Sequence, residues 1–262
     1  MTGRSVPSEH GLAAGAPARN DGELLRANRS FYDPLWADTR LVSPERFNTW
    51  PLVHSLLPQA LRRLEVAPGL RPRLPLAGTH FVDISIPALD KLRLQGGTVT
   101  LGSVSRLPFA SSCFDLVCAL DIVEHVDDDD NALSELARVC AANGLVMLSA
   151  PLHPSRWTAF DEFVGHRRRY EPGGLFDKLS QRGLRIWKSA VFGMRPRSSR
   201  LTGMGVWWLT HQRDRAMWWY NRVIMPLALR FNKELVLHDG IVDPSEVDEL
   251  LLVCRKADAS GG

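Results

Sequence analysis

A chain of 262 residues, 45% hydrophobic and 23% charged, can bury a substantial core and has the composition of an ordinary soluble protein. No stretch reaches the roughly 18 uninterrupted apolar residues that a membrane span needs. The four cysteines, Cys113, Cys118, Cys140 and Cys254, show neither C-x-x-C pairing nor dense disulfide spacing, which argues for buried, inert thiols in a reducing cytoplasm.

Residues 1–22 are small, polar and broken by Pro and Gly, and they lack the apolar core of a secretory signal, so a disordered tail is expected. Residues 23–60 read as a helical cap, with apolar residues at mixed three and four spacing and a helix start at Ser43-Pro44-Glu45. The period then changes. Strands are expected at 62–67, 80–85, 98–103, 114–121, 144–151, 184–192 and 249–256, with helical patterns at 85–95, 129–142 and 172–183. Short apolar strands alternating with helices predict a doubly wound, mostly parallel, seven-stranded α/β sheet covered on both faces. The core is expected over 61–192 plus 247–257, with a helical insertion at 193–246 before the last strand.

In such a sheet the ligand lies across the carboxyl ends of the strands. The turn after the first strand, "EVAPGLRP", offers Gly69 for a positive φ and close backbone approach, Pro68 to pre-set the turn and Ala67 for near contact. Asp83, at the end of the second strand, is placed to accept hydrogen bonds from two ribose hydroxyls. Its alternative is an N-cap for the next helix, a role for which Ser85 competes.

Downstream, "LPFASSCFDLV", "DIVEHV", "ALSELARVC" and "GLVMLSAP" follow in order. Together with the first two strand ends they resemble the middle of the class I S-adenosylmethionine-dependent methyltransferases, over roughly Leu61 to Leu184 and again at the last strand. The resemblance implies a Rossmann-like fold, S-adenosylmethionine as cofactor and S-adenosylhomocysteine as product. It implies that Glu65 to Gly69 line the methionine and ribose side, Asp83 holds the ribose, Ser103 and Val104 flank the adenine, and Leu120 and Asp121 close the methionine end. Two departures stand out. Of the family's three-glycine turn only Gly69 survives, with Ala67 and Arg71 at the other two places, and Ser103 stands where an acid often contacts the adenine amino group.

Methyl transfer needs alignment and, for some acceptors, a base. His125 in "EHV" is one candidate, with helix packing as its alternative. The segment "AFDEFVGHRRRYEP" gathers Asp161, Glu162, His166, Arg169 and Tyr170 where substrate is expected to enter. "GHRRRY" resembles a segment from a bacterial subset of the family, and His166 is the first candidate base, Tyr170 the second. No acidic pair has metal-ligand spacing, so no metal is expected, and Asp127–Asp130 reads as an N-cap with favourable charge at a helix start.

Between Arg156 and Lys233 the chain holds 16 Lys plus Arg against 5 Asp plus Glu, and six of the eight tryptophans. Trp207 and Trp208, with Tyr32 from the N-terminal segment and Asp161 and Arg169, are the expected substrate contacts. The acceptor is then a small hydrophobic or anionic metabolite, such as a natural product, lipid or quinone-like molecule. An acidic carrier protein or a membrane surface also fits the basic, aromatic composition. No nucleic-acid module is visible, and the bland alternative is that the tryptophans pack a subdomain or a homodimer contact. The rival functional reading is a protein of this fold that no longer transfers methyl groups and serves as a binding or scaffold subunit or in other chemistry. A cytoplasmic location, with peripheral membrane association as a variant, is the expectation.

Overall fold

The computed structural model describes residues 39–193, 205, 207–208, 211–212, 215, 218–230 and 233–258. Eight strands make one sheet: β1 (Arg63–Val66), β2 (Thr79–Asp83), β3 (Thr98–Leu101), β4 (Phe114–Ala119), β5 (Cys140–Pro151), β6 (Leu184–Val191), β7 (His238–Asp239) and β8 (Glu249–Lys256). Their order is β3-β2-β1-β4-β5-β8-β6-β7. The first five pair in parallel, and β8 runs antiparallel between β5 and β6. The seven strands expected from the apolar pattern are all present. The eighth is a two-residue pairing of β7 with β6, too short to leave any period in the sequence.

Alternation along the central strands explains why both faces are covered. Val117 and Ala119 of β4 join Val146 and Leu148 of β5 in one core, which also takes Leu133 and Leu136 of α3 (Asp129–Val139) and Leu175 and Leu179 of α5 (Pro172–Ser180). Leu116, Cys118, Leu145 and Met147 face the other way, onto Leu52, Val53 and Leu56 of α1 (Trp50–Leu56). α2 (Ile86–Leu94) buries Ala88, Leu89 and Leu92. Also among the described residues are α4 (Ala159–Val164) and α6 (Met225–Arg230), the latter preceded by a π-helical turn at Tyr220–Ile224. No helix among the described residues is long and apolar enough to cross a membrane.

Two helical expectations are corrected. The pattern that continues to residue 60 is realised as a 3-10 turn at Pro44–Arg46, the seven residues of α1 and a second 3-10 turn at Leu57–Gln59. Pro58 lacks the N–H that would carry the helical ladder onward. α3 stops at Val139, three residues before its expected end, and β5 begins at once. Asn143 takes a φ of +58°, and a Cβ on Gly144 would stand 2.9 Å from both the Cys140 Sγ and the Ala141 carbonyl oxygen. The helix itself ends because Cys140 is already extended and paired with Phe114 of β4.

Sheet order reverses between β1 and β4, so the loops that leave these strands diverge. That is where a ligand crevice forms in an open α/β sheet.

Candidate active site at the strand ends

The turn after β1 holds its shape without its usual glycines. Ala67 and Gly69 both have φ of +53°, and the Arg71 N–H donates to the Pro68 carbonyl at 3.0 Å. Ala67 therefore adopts the left-handed conformation that glycine takes without penalty. Glu65 braces the turn from below: its carboxylate accepts from the Arg73 and Leu74 N–H groups at 2.8 and 2.9 Å. Burial pushes the Glu65 pKa up to about 7, and those two N–H donors together with the Arg73 charge oppose the shift.

Asp83, buried at the end of β2, accepts from Gly69 N–H at 3.0 Å and from Ser85 N–H at 2.8 Å. It thereby ties the β1 turn to the start of α2. Ser85 occupies the N-cap position of α2 without a side-chain cap hydrogen bond. Across the crevice Asp121 has a φ of +53° and an exposed residue surface. Its N–H donates to the Ser149 Oγ at 2.8 Å, and the Ser149 hydroxyl donates back to the Asp121 carboxylate. Leu120 is half-buried beside it, against the core under α1.

Arg73 lies at this turn too, although no motif marks it. Its guanidinium lies 3.8 Å over the Phe47 ring. Loss of water around it lowers its pKa, while the charges of Asp121 and Glu65 act the other way. A cation beside Asp121 offers complementary charges to an amino-acid zwitterion. At the end of β3, Val104 is buried and Ser103 Oγ accepts the Ser105 N–H at 3.3 Å.

A second cluster lies where β4 and β5 deliver their loops. α4 is closed by a capping box between Thr158 and Asp161, and Gly165, at φ +81°, turns the chain back at its end. The Asp161 carboxylate is fully buried and accepts from Thr158 through Oδ2, and from His166 Nδ1 at 2.8 Å and Arg169 Nε at 3.0 Å through Oδ1. His166 is thereby fixed with its Nε2 at 3.7 Å from Glu124 Oε1. The His125 and His166 rings meet edge to face at 4.7 Å. Burial, and then the Asp121 charge, hold the Glu124 pKa well above the usual carboxylate range. Burial and His166 bring that of His125 down to about 4. The Tyr170 hydroxyl donates to the Val123 carbonyl at 3.2 Å, and burial raises its pKa.

Residues 68–148 match the family model described as a methyltransferase domain. The stretch takes in the β1 turn, Asp83, Ser103, Val104, Leu120, Asp121, Glu124 and His125. Over that stretch the chain carries a methyltransferase domain. An uncharacterised methyltransferase of Schizosaccharomyces pombe is 26% identical over 153 residues, which is 56% of this chain and 53% of that protein. The chain spans about half the length of the curated relatives it matches. Two solved structures share the fold. A SAM-dependent methyltransferase from Thermotoga maritima matches with a TM-score of 0.53 and 16% identity, covering 90% of this chain and 93% of that one. Phosphoethanolamine N-methyltransferase 2 of Haemonchus contortus, in complex with phosphomonomethylethanolamine and S-adenosylhomocysteine, matches with a TM-score of 0.54 and 16% identity, covering 93% and 62%.

The structure brings Glu65, Ala67, Pro68, Gly69 and Asp83 together around one turn. It gathers His125 and His166 with Glu124 and Asp161. Asp161 and Arg169 are wholly buried against each other, so they hold His166 in place instead of presenting charge at a rim. Trp207 is exposed and stacks on His211 at 4.7 Å, and Trp208 is half-buried. Tyr32 lies outside the described residues. Asp128 caps α3 by accepting the Asn131 N–H at 2.8 Å, as expected of the acidic run. Glu124 and the positioning role of Asp161 were missed. Thr158-Ala-Phe-Asp161 fits the capping-box pattern, a signal that could have found the latter.

Proposed function

We propose that the protein transfers a methyl group from S-adenosylmethionine to a small amphipathic anion. The observation that carries the donor side is the bond from Gly69 N–H to the Asp83 carboxylate, on a turn whose two left-handed residues leave its backbone in the glycine-like shape. The donor set suits the group. Asp83 would hold the ribose, Ser103 and Val104 the adenine, and Arg73 with Asp121 the carboxylate and ammonium of the methionine part. S-adenosylmethionine, when bound, supplies an electrophilic methyl on a sulfonium.

The chain's own residues then align the acceptor and take its proton. His166 is the proposed proton acceptor, because Asp161 fixes its ring through Nδ1 and leaves Nε2 as the working nitrogen. The acceptor class rests on a cavity of about 600 Å³ lined by Arg46, Arg222, Arg230, Val223, Leu227 and Leu229. Three arginines among aliphatic side chains suit an anionic head on an apolar body. Arg46 adjoins Phe47, the ring beneath Arg73, which links the cavity wall to the donor turn.

The test is transfer of labelled methyl from S-adenosylmethionine across a panel of amphipathic carboxylates and phosphates and their neutral analogues. Labelled anionic products, reduced by Arg222→Ala together with Arg230→Ala, support the proposal. Turnover only of the neutral analogues would overturn the acceptor class, and no transfer to any member would overturn the activity assigned.

A second reading concerns location. Trp207, Trp218, Trp219, Ile224 and Leu227 are between 45% and 57% exposed, and Arg222 lies 5.6 Å over the Trp218 ring. Trp and Arg at this density suit the headgroup level of a membrane, so the acceptor could be drawn from a lipid surface.

A further inference from the structure

The Glu124, His125 and His166 side chains supply one carboxylate oxygen and two imidazole nitrogens that all lie within 4.8 Å of one another. We infer that these three residues form a binding site for one divalent transition-metal ion of the zinc or cobalt type. The inference goes beyond methyl transfer and does not depend on it.

Four observations carry it. The first is the donor chemistry: imidazole with carboxylate suits first-row divalent ions, whereas calcium and magnesium favour all-oxygen sets. The second is spacing. Metal–ligand bonds of about 2.0–2.1 Å in a tetrahedron place neighbouring donors about 3.4 Å apart. His166 Nε2 and Glu124 Oε1 already stand at 3.7 Å, and all three donor pairs lie within 4.8 Å.

The third is an orphan. The Glu124 side chain is only 2% exposed, and its Oε2 is buried without a hydrogen-bond partner. An isolated buried carboxylate is costly unless it is protonated or meets a cation. A histidinium at His166 would face Oε1 and leave Oε2 unanswered, whereas a metal can engage either oxygen. The fourth is the outer support. The Asp161 carboxylate accepts from His166 Nδ1 at 2.8 Å and is itself braced by Arg169 and Thr158. A carboxylate behind a histidine is how metal ligands are held in orientation, with the other ring nitrogen aimed at the ion.

Three protein ligands leave coordination positions open, the pattern of working sites and not of structural ones. A water or an acceptor oxygen could take one, and coordination would lower its pKa. His166 would then act as a ligand, so the base role proposed for its Nε2 belongs to the metal-free protein.

The test uses the full chain, stripped with a chelator and titrated with cobalt(II), with no methyl donor present. The d–d absorption of the bound ion and elemental analysis after dialysis are the two readouts. The expected result is one equivalent bound, at least tenfold weaker in Glu124→Gln and in His166→Gln and unchanged in Cys113→Ser, which removes the half-exposed thiol as a rival ligand. Asp161→Asn should weaken binding by 10- to 100-fold. Less than a tenth of an equivalent in the wild-type protein overturns the inference, as does equal affinity in Glu124→Gln. That variant removes a buried charge and is the one expected to fold, with circular dichroism as its check. Titration of the stripped protein with S-adenosylhomocysteine reports separately on the methyl-donor site.

Discussion

Ala67 stands in a left-handed conformation that costs a residue with a Cβ about 1–2 kcal/mol. Ala67→Gly relieves that strain but adds about 0.4–1 kcal/mol of freedom to the unfolded chain. The expected net is a stabilisation of about 0.5 kcal/mol in urea unfolding. Gly69→Ala, at the same φ, should destabilise by about 0.5 kcal/mol. Glu65 gives a pH dependence. Its folded pKa of about 7 lies above the free value of 4.5, so the folded form holds the extra proton between them. The contribution to stability is complete below 4.5 and is lost as pH rises through 7. It amounts to on the order of 3 kcal/mol, and Glu65→Gln should flatten the fall in Tm between pH 5 and 8. Asp83 and Gly69 were legible in the sequence because strand period fixes where β1 and β2 end. Arg73 was not, because its place depends on Phe47, which lies before the first strand and shares no period with it.

At the scale of elements, α3 braces the loop that carries Ser103 and Val104. Arg138 donates to the Phe109 carbonyl at 2.8 Å and the Leu107 carbonyl at 3.1 Å, and Glu135 accepts the Leu107 N–H at 2.7 Å. Asn131 donates to the Ser105 carbonyl at 2.6 Å. Arg138→Ala should cost about 2 kcal/mol in urea unfolding, since it strips two carbonyls of their donor and removes the ion pair to Glu135, which keeps the Leu107 N–H. Because the loop it releases carries Ser103 and Val104, S-adenosylhomocysteine affinity should fall as well. The α3 pattern was readable from its apolar spacing, and its acidic start from the run Asp127–Asp130. Its end was not, because Cys140, Ala141 and Ala142 extend the apolar pattern and the turn signal Asn143-Gly144 comes only after the helix has ended. α4 was illegible as a helix. Six residues give less than two turns of period, and its stability comes from Asp161, whose partners His166 and Arg169 lie beyond its end.

For the whole molecule, the sheet order was legible in outline, because alternating strands and helices admit few parallel arrangements. The antiparallel return of β8 between β5 and β6 was left open by the sequence, since the connection before it is long and irregular. The exposed tryptophans near α6 carry the surface prediction. Co-sedimentation with anionic vesicles should exceed that with neutral vesicles, and Trp218→Ala with Trp219→Ala should reduce it severalfold. Equal partitioning of variant and parent would end the membrane reading. The account as a whole depends on the ends of β1 and β2 forming a site for the methyl donor. Calorimetric titration with S-adenosylhomocysteine of the wild-type chain, Asp83→Asn and Asp83→Ala tests this most directly. One site in the wild type, weakened at least tenfold in both variants, is the predicted result, because hydroxyl bonds to a charged carboxylate are worth about 1.5–3 kcal/mol each. No heat of binding in the wild type, or the same affinity in all three proteins, would contradict it.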